Sequence, residues 1–384
     1  MTLRPSRRGL VPPFIAMDVL RAANERQAAG AEIVHLEVGQ PGSSAPAPVL
    51  EAARRALVSE PIGYTDALGI PPLRQEIAAH YQTQYGVPVD PGEVVVTTGS
   101  SAAFLLIFLA AFEPGDRVGL AIPGYPAYRN ILSALGIEPV LIAVGENTHY
   151  QPTPELLADL GSLDGLIVAS PANPTGTMIS AAELARLTAY CRDRGIWLVS
   201  DEIYHGITYE TAAATARAYG REAIIVNSFS KYYSMTGWRL GWMLVPPDLA
   251  RSVECLAQNF YISPPALSQI AALPVFGCRG ELDGHVARYQ INRDLLIRSL
   301  TSVGLTRLAP AEGAFYLYVD ISSLTRDSEE FCRRLLAETG VAVTPGLDFD
   351  PIDGGGWVRF SFAGSTESVA EAARRLKAWL PHAC

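Results

Sequence analysis

The chain has 384 residues, enough for two domains or for one large domain with an appendage, and its 49% hydrophobic and 18% charged residues are those of a globular protein. This balance excludes disorder, collagen and coiled coil as descriptions of the whole chain. The net charge of −9 argues against general affinity for nucleic acid or anionic membranes, and the longest apolar run, Ala102–Phe112, is too short to span a bilayer.

No signal-peptide core follows the basic start Met1–Pro13, so a cytoplasmic location is expected. A helix is expected over Ala16–Ala29 and a strand over Ile33–Val38. From about residue 90 to 245, short apolar runs alternate with helical patterns. The strands expected there are Glu93–Thr97, Arg117–Ala121, Glu138–Ile142, Gly165–Ala169, Trp197–Ser200, Ala223–Asn227 and Leu240–Val245. The helices are Ser101–Phe112, Ala127–Leu135 and Ala181–Arg194, the last ending at Gly195. Continuous apolar strands interleaved with helices indicate an α/β fold: a mainly parallel seven-stranded sheet with helices on both faces. In such a sheet the ligand lies off the carboxyl ends of the strands. After about residue 275 the pattern changes. A helix over Leu282–Val303 precedes strands over Ala314–Val319, Val341–Thr344 and Trp357–Phe362, and a last helix covers Glu367–Trp379. This reads as a smaller α+β domain. The expected division is a large cofactor-binding domain, 48–275, and a small domain built from 1–47 and 276–384.

Five cysteines occur, at 191, 255, 278, 332 and 384. The number is odd and none forms a CxxC, so free thiols and no metal site are expected. Of the 30 basic residues only Lys231 and Lys377 are lysines, and the other 28 are arginines. Lys377 belongs to a charged helical face. Lys231 sits where a strand runs into Asn227-Ser-Phe-Ser-Lys231, between hydroxyls and ahead of Arg239. Its bland reading is a surface residue; its functional reading is a Schiff-base lysine. Thr97-Thr-Gly-Ser-Ser-Ala-Ala103 follows a strand and opens a helix. Gly99, Ser100 and Ser101 there make either an ordinary N-cap or, with Ser228, Ser230 and Arg239, a phosphate cup. Asp201, in Ser200-Asp-Glu-Ile-Tyr204, is either a helix cap or a buried carboxylate with a cation partner. Asn173, in Ser170-Pro-Ala-Asn-Pro-Thr-Gly176, sits at another strand end. The Asn173–Pro174 and Ile122–Pro123 bonds are candidates for cis geometry.

Taken together, these motifs resemble the pyridoxal-phosphate-dependent aminotransferases of class I/II, the fold-type-I family. The resemblance runs from Leu36-Glu-Val-Gly-Gln-Pro-Gly42 through Tyr64-Thr-Asp-Ala-Leu-Gly69 to Pro345-Gly346 and Val358-Arg-Phe-Ser361. It implies pyridoxal 5'-phosphate as cofactor, an amino acid and a 2-oxoacid as substrates, and a ping-pong transfer between them. Lys231 would be the Schiff-base lysine and would then move the substrate α-proton. Asp201 would pair with the pyridine nitrogen. Asn173 and Tyr204 would bond the phenolic oxygen, and Tyr125 would stack on the ring. Ser100, Ser101, Ser228 and Arg239 would bind the phosphate. Arg359 would grip the substrate carboxylate, with the Gly39 backbone close to it. The tyrosine matching Tyr64 reaches the neighbouring subunit's site in this family, which implies a homodimer.

One bacterial aspartate-specific subgroup has a lysine in the segment matching Gly99–Ala103, where Ser101 stands here. The apolar Val11-Pro-Pro-Phe-Ile15 and the aromatic Tyr261 either lie near the site or pack in the core. The expected donor is therefore neutral or aromatic, with 2-oxoglutarate or another oxoacid as acceptor. A β-lyase acting on a sulfur amino acid on the same scaffold is the nearer rival. A cofactor-binding module of a transcription regulator is the remoter one. Such regulators carry a DNA-binding domain ahead of the aminotransferase-like part, and only about 30 residues precede the first motif here.

Overall fold

The computed structural model describes residues 3–382, so Met1 and Thr2 of the basic start, and Cys384, lie outside the described residues. Strands β1 to β8 are Val34–His35, Val94–Thr97, Arg117–Ile122, Glu138–Ala143, Gly165–Ala169, Trp197–Asp201, Ile224–Ser228 and Gly241–Leu244. Strands β2 to β8 form one seven-stranded sheet in the order β2-β8-β7-β6-β5-β3-β4, with only β8 antiparallel to its neighbours. These are the seven strands expected, with ends shifted by a single residue. Alternate residues serve opposite faces. Val95, Ile167, Val199 and Val226 pack with Phe104 and Phe108 of helix Ser100–Ala111. Val94, Val96, Leu166 and Leu198 pack with Leu73, Ile77 and Leu184 of helices on the other face. Both faces are covered, which is why the strands read as continuous apolar runs.

Strands β9 to β12 are Tyr316–Asp320, Val341–Ala342, Thr344–Pro345 and Trp357–Ser361. Here the structure corrects three sequence readings. The expected strand Ile33–Val38 shortens to β1, because the carbonyls beyond it are claimed by side chains: that of Glu37 by Thr344 and Arg359, that of Gly39 by Lys231. The expected strand Val341–Thr344 divides in two, since β10 pairs parallel with β1 while β11 pairs antiparallel with β12. Ala314 falls outside β9 because its backbone is left-handed, φ +56°. The Ile122–Pro123 and Asn173–Pro174 bonds are both cis, as anticipated, and Ser170–Pro171 is a third. No helix among the described residues is long and apolar enough to cross a membrane.

Candidate active site

Strands β2, β3, β5, β6 and β7 run in the same direction, so their carboxyl ends meet along one edge, where β8 begins. A cavity of about 490 Å³ opens there. Its walls hold Lys231, Asp201, Asn173, Tyr125, Tyr204 and Arg359, together with Gly39, Ser100, Ser101, Ser230 and Arg239. Residues spread from 39 to 359 in the sequence thus converge on one space. Gly99 and Ser228 do not line it but shape its wall. Tyr64 is not in it and stands 82% exposed on this chain.

Lys231 donates from Nζ to the Gly39 carbonyl at 2.7 Å. Loss of hydration lowers its pKa to about 8, with the guanidinium charges of Arg359 and Arg239 adding to the effect. The amine is therefore partly unprotonated near neutral pH. Gly39 has a second reason to be glycine: a Cβ there would overlap the Tyr316 hydroxyl. Asp201 ends β6 and is 3% exposed. Burial raises its pKa to about 6, against hydrogen bonds that favour the carboxylate, from the Tyr128 hydroxyl to Oδ2 and from the Ile203 amide to Oδ1 at 3.1 Å. It stays mostly ionised at neutral pH. Tyr204 shares a 2.7 Å hydrogen bond with the Tyr316 hydroxyl. Asn173 accepts at Oδ1 from Arg359 at 2.8 Å, leaving its Nδ2 without a partner among the described residues.

The strand-to-helix turn after β2 is built to admit a guanidinium. Gly99 has φ +80° and precedes helix Ser100–Ala111; a Cβ on it would lie 2.5 Å from Arg239 Nη2. Arg239 itself is left-handed at φ +50°, and Gly241 lets β8 start beneath the turn, since a Cβ there would lie 2.9 Å from the Ser100 amide nitrogen. Ser230 donates its amide to Ser228 Oγ at 3.0 Å. Helix amides, hydroxyls and a guanidinium on one bend fit a phosphate monoester. The residues present therefore fit pyridoxal phosphate: a cradle for its phosphate, a carboxylate and an amine in the same cavity. Replacing Gly99 with alanine should displace the guanidinium and raise the dissociation constant of the cofactor at least about tenfold, measured by cofactor titration of the stripped protein.

Arg359 is 2% exposed. Its Nη2 donates to the Glu37 carbonyl and, at 3.2 Å, to Thr344 Oγ1, and its guanidinium lies over the Tyr316 and Phe349 rings at 4.4 and 4.6 Å. Its Nε is buried with no hydrogen-bond partner among the described residues. A buried cationic donor left unpaired is what a carboxylate satisfies.

Sequence reasoning missed Tyr128, Tyr316, Thr344 and Gly241. Gly241 falls inside the expected strand Leu240–Val245, and a glycine at a strand start is the one available signal. The two open apolar readings divide: Phe14 lines the cavity and meets Tyr125 edge-on at 5.7 Å, whereas Tyr261 lies half-buried against the core between sheet and helix and does not line the cavity.

The chain has extensive likeness to known proteins. The family model of aminotransferase class I and II matches residues 31–376. A valine–pyruvate aminotransferase of Mycobacterium tuberculosis is 54% identical, over 99% of this chain and 100% of that protein. An aspartate/prephenate aminotransferase of Thermus thermophilus is 33% identical, over 94% and 95% of the two chains. Among solved structures, an aminotransferase from Mycobacterium tuberculosis matches with a TM-score of 0.97 at 54% identity, covering 99% of this chain and 100% of that one. The aspartate aminotransferase of Thermus thermophilus with maleate matches at 0.93 and 32%, covering 98% and 100%.

Proposed function

The chain belongs to the class I and II aminotransferases, enzymes that depend on pyridoxal phosphate, and on that premise we propose that it moves the amino group of a neutral amino acid to a small neutral 2-oxoacid. One observation carries the substrate assignment. The cations lining the cavity are Lys231, Arg239 and Arg359, each with a role in the amine, phosphate or α-carboxylate sites. The remaining wall, with Phe14, Met17, Val38, Phe104 and Ile131, is mainly apolar. Among the described residues no further cation lines this cavity, so aspartate as donor or 2-oxoglutarate as acceptor would place its distal carboxylate against this chain's wall without a partner. The 54% identical relative, a valine–pyruvate aminotransferase, agrees with a neutral donor and with pyruvate rather than 2-oxoglutarate as acceptor. The relatives named above are aminotransferases, and neither the β-lyase nor the regulatory-module reading is favoured.

The convergence of these side chains on one cavity supports the following roles. Pyridoxal phosphate supplies an electrophilic carbonyl and an electron-withdrawing ring. Lys231, with its lowered pKa, takes the proton from the substrate Cα and returns it. Asp201 would hold a proton on the pyridine nitrogen of the bound cofactor, Asn173 and Tyr204 would donate to its phenolic oxygen, and Tyr125 would pack on its ring. Ser100, Ser101, Ser228, Ser230 and Arg239 would hold its phosphate, and Arg359 would hold the substrate carboxylate. We further propose a cytoplasmic homodimer in which the exposed Tyr64 reaches the neighbouring site. The large domain is 48–275; the small domain, 1–47 with 276–384, takes support from β1 pairing with β10 rather than with the seven-stranded sheet.

With pyruvate as acceptor, kcat/KM for valine should exceed that for aspartate by about 100-fold, the ratio expected when a carboxylate enters a site without a partner. Ser101→Lys should narrow that ratio by at least about tenfold. A wild-type preference for aspartate would contradict the substrate assignment.

A further inference from the structure

The protein contains a second cavity, larger than the first at about 560 Å³. Neighbours in sequence divide between the two. Lys231 and Tyr204 line the first, while Tyr232, Tyr233 and His205 line the second. The second cavity is walled by the rings of Tyr85, Tyr232, Tyr233 and Phe276. Its volume is within the range of small-molecule sites.

The polar groups inside it are unequally committed. His205 uses both ring nitrogens, Nδ1 with the Tyr85 hydroxyl at 2.7 Å and Nε2 with the Ser170 carbonyl at 3.0 Å. His80 uses neither: among the described residues its ring nitrogens have no hydrogen-bond partner. The His80 ring lies tilted on Phe276, centroids 5.0 Å apart, with Tyr81, Tyr85, Tyr233 and Trp242 meeting it edge-on. Burial lowers its pKa to about 4, so at neutral pH it offers one N–H donor and one bare acceptor. The charged lining consists of Glu76, Asp283 and Arg279. Asp283 accepts from the Tyr232 hydroxyl at 2.6 Å and lies 3.6 Å from Arg279 Nε. Acid outnumbers base and the one cation has a partner, which disfavours an anionic occupant.

We propose that this cavity is a binding site, separate from the active site, for a small neutral planar heteroaromatic molecule that stacks among these rings and exchanges a hydrogen bond with His80. Its occupant touches Tyr232 and Tyr233, the residues directly after Lys231, and His205, which holds the Ser170 carbonyl of the loop carrying Asn173. Binding therefore changes turnover without displacing the amino acid.

Indole is a suitable probe. It is neutral and bicyclic, has one N–H, and lacks the carboxylate and amine that the first cavity recognises. Calorimetric titration of the holoenzyme should show one saturable site per chain, unaffected by saturating valine. His80→Phe keeps the ring packing but removes the hydrogen bond, and should weaken binding at least tenfold. Ala213→Trp fills the cavity from a half-buried loop position that serves no catalytic group. It should abolish binding while amino acid turnover without indole stays within twofold. Saturating indole should change kcat at least twofold in the parent and not in Ala213→Trp. Absence of saturable binding, competition by valine, full-affinity binding to Ala213→Trp, or an unchanged kcat would overturn the proposal. These outcomes leave the amino-acid specificity of the first cavity untouched, so the two readings fail separately.

Discussion

Replacing Lys231 with alanine is expected to lower turnover at least about 10⁴-fold, since one side chain acts both as nucleophile toward the cofactor carbonyl and as the acid–base group at Cα. The fold should survive. Among the described residues the Nζ group makes one hydrogen bond, to the Gly39 carbonyl, and that carbonyl would then face the cavity rather than a dry core. Lys231→Arg separates charge from chemistry. Arginine keeps a cation near Asp201 but cannot deprotonate near neutral pH. It should be as inactive as alanine if proton transfer is the role, and should retain much of the turnover if only charge matters. Steady-state kinetics of both variants, with far-ultraviolet circular dichroism as the check on folding, measures this. Near-normal turnover in Lys231→Ala would remove the residue from the mechanism.

Asp201→Asn is expected to move activity and stability in opposite directions. The carboxyl titrates at about 6 in the folded chain against an ordinary 3.8, chiefly because it is buried. The folded state therefore holds this proton more tightly than the unfolded state does. The carboxylate's cost is full above about pH 6, shrinks as the pH falls toward the unfolded value of 3.8, and is gone only below about pH 3, where both states are protonated. In the cofactor-free protein, Asp201→Asn should gain about 2 kcal/mol at pH 8 in denaturant unfolding and nothing below about pH 3. Turnover of the loaded enzyme should fall about 10²–10³-fold, because a neutral amide cannot keep the pyridine nitrogen protonated. Cofactor affinity should fall less, since the phosphate cradle of Ser100, Ser230 and Arg239 is untouched. A variant less stable than the parent at pH 8 would show that the Tyr128 and Ile203 hydrogen bonds outweigh the burial of the charge.

Legibility in the sequence followed the range of the physical signal. The seven strands were readable because full burial on both faces makes each an uninterrupted apolar run. Lys231 was readable because lysine is scarce in this chain. Gly99 and Ser100 were readable because a glycine before a helix start is a local signature. The sequence pattern assigns no helix at Ala47–Ser59, Pro71–Tyr85 or Pro247–Phe260, although each carries proline in its first turn, a usable start signal. Tyr128 and Tyr316 were not readable. A tyrosine in an apolar stretch is ordinarily core, and nothing local says that its hydroxyl meets Asp201 or Tyr204 from far along the chain. The same holds for Glu37 and Thr344, whose contacts with Arg359 exist only once β11 and β12 pair. The second cavity had no signal at all, since His80 and Tyr233 come together only through packing.

The most direct test of the central claim is a half-reaction. The visible absorption of the loaded enzyme is recorded while single amino acids are added with no acceptor present. Valine or alanine should remove the band of the bound aldehyde form, pyruvate should restore it, and aspartate at equal concentration should leave it nearly unchanged. Bleaching by aspartate in preference to valine, or recovery without acceptor while pyruvate and ammonia accumulate, would contradict the account.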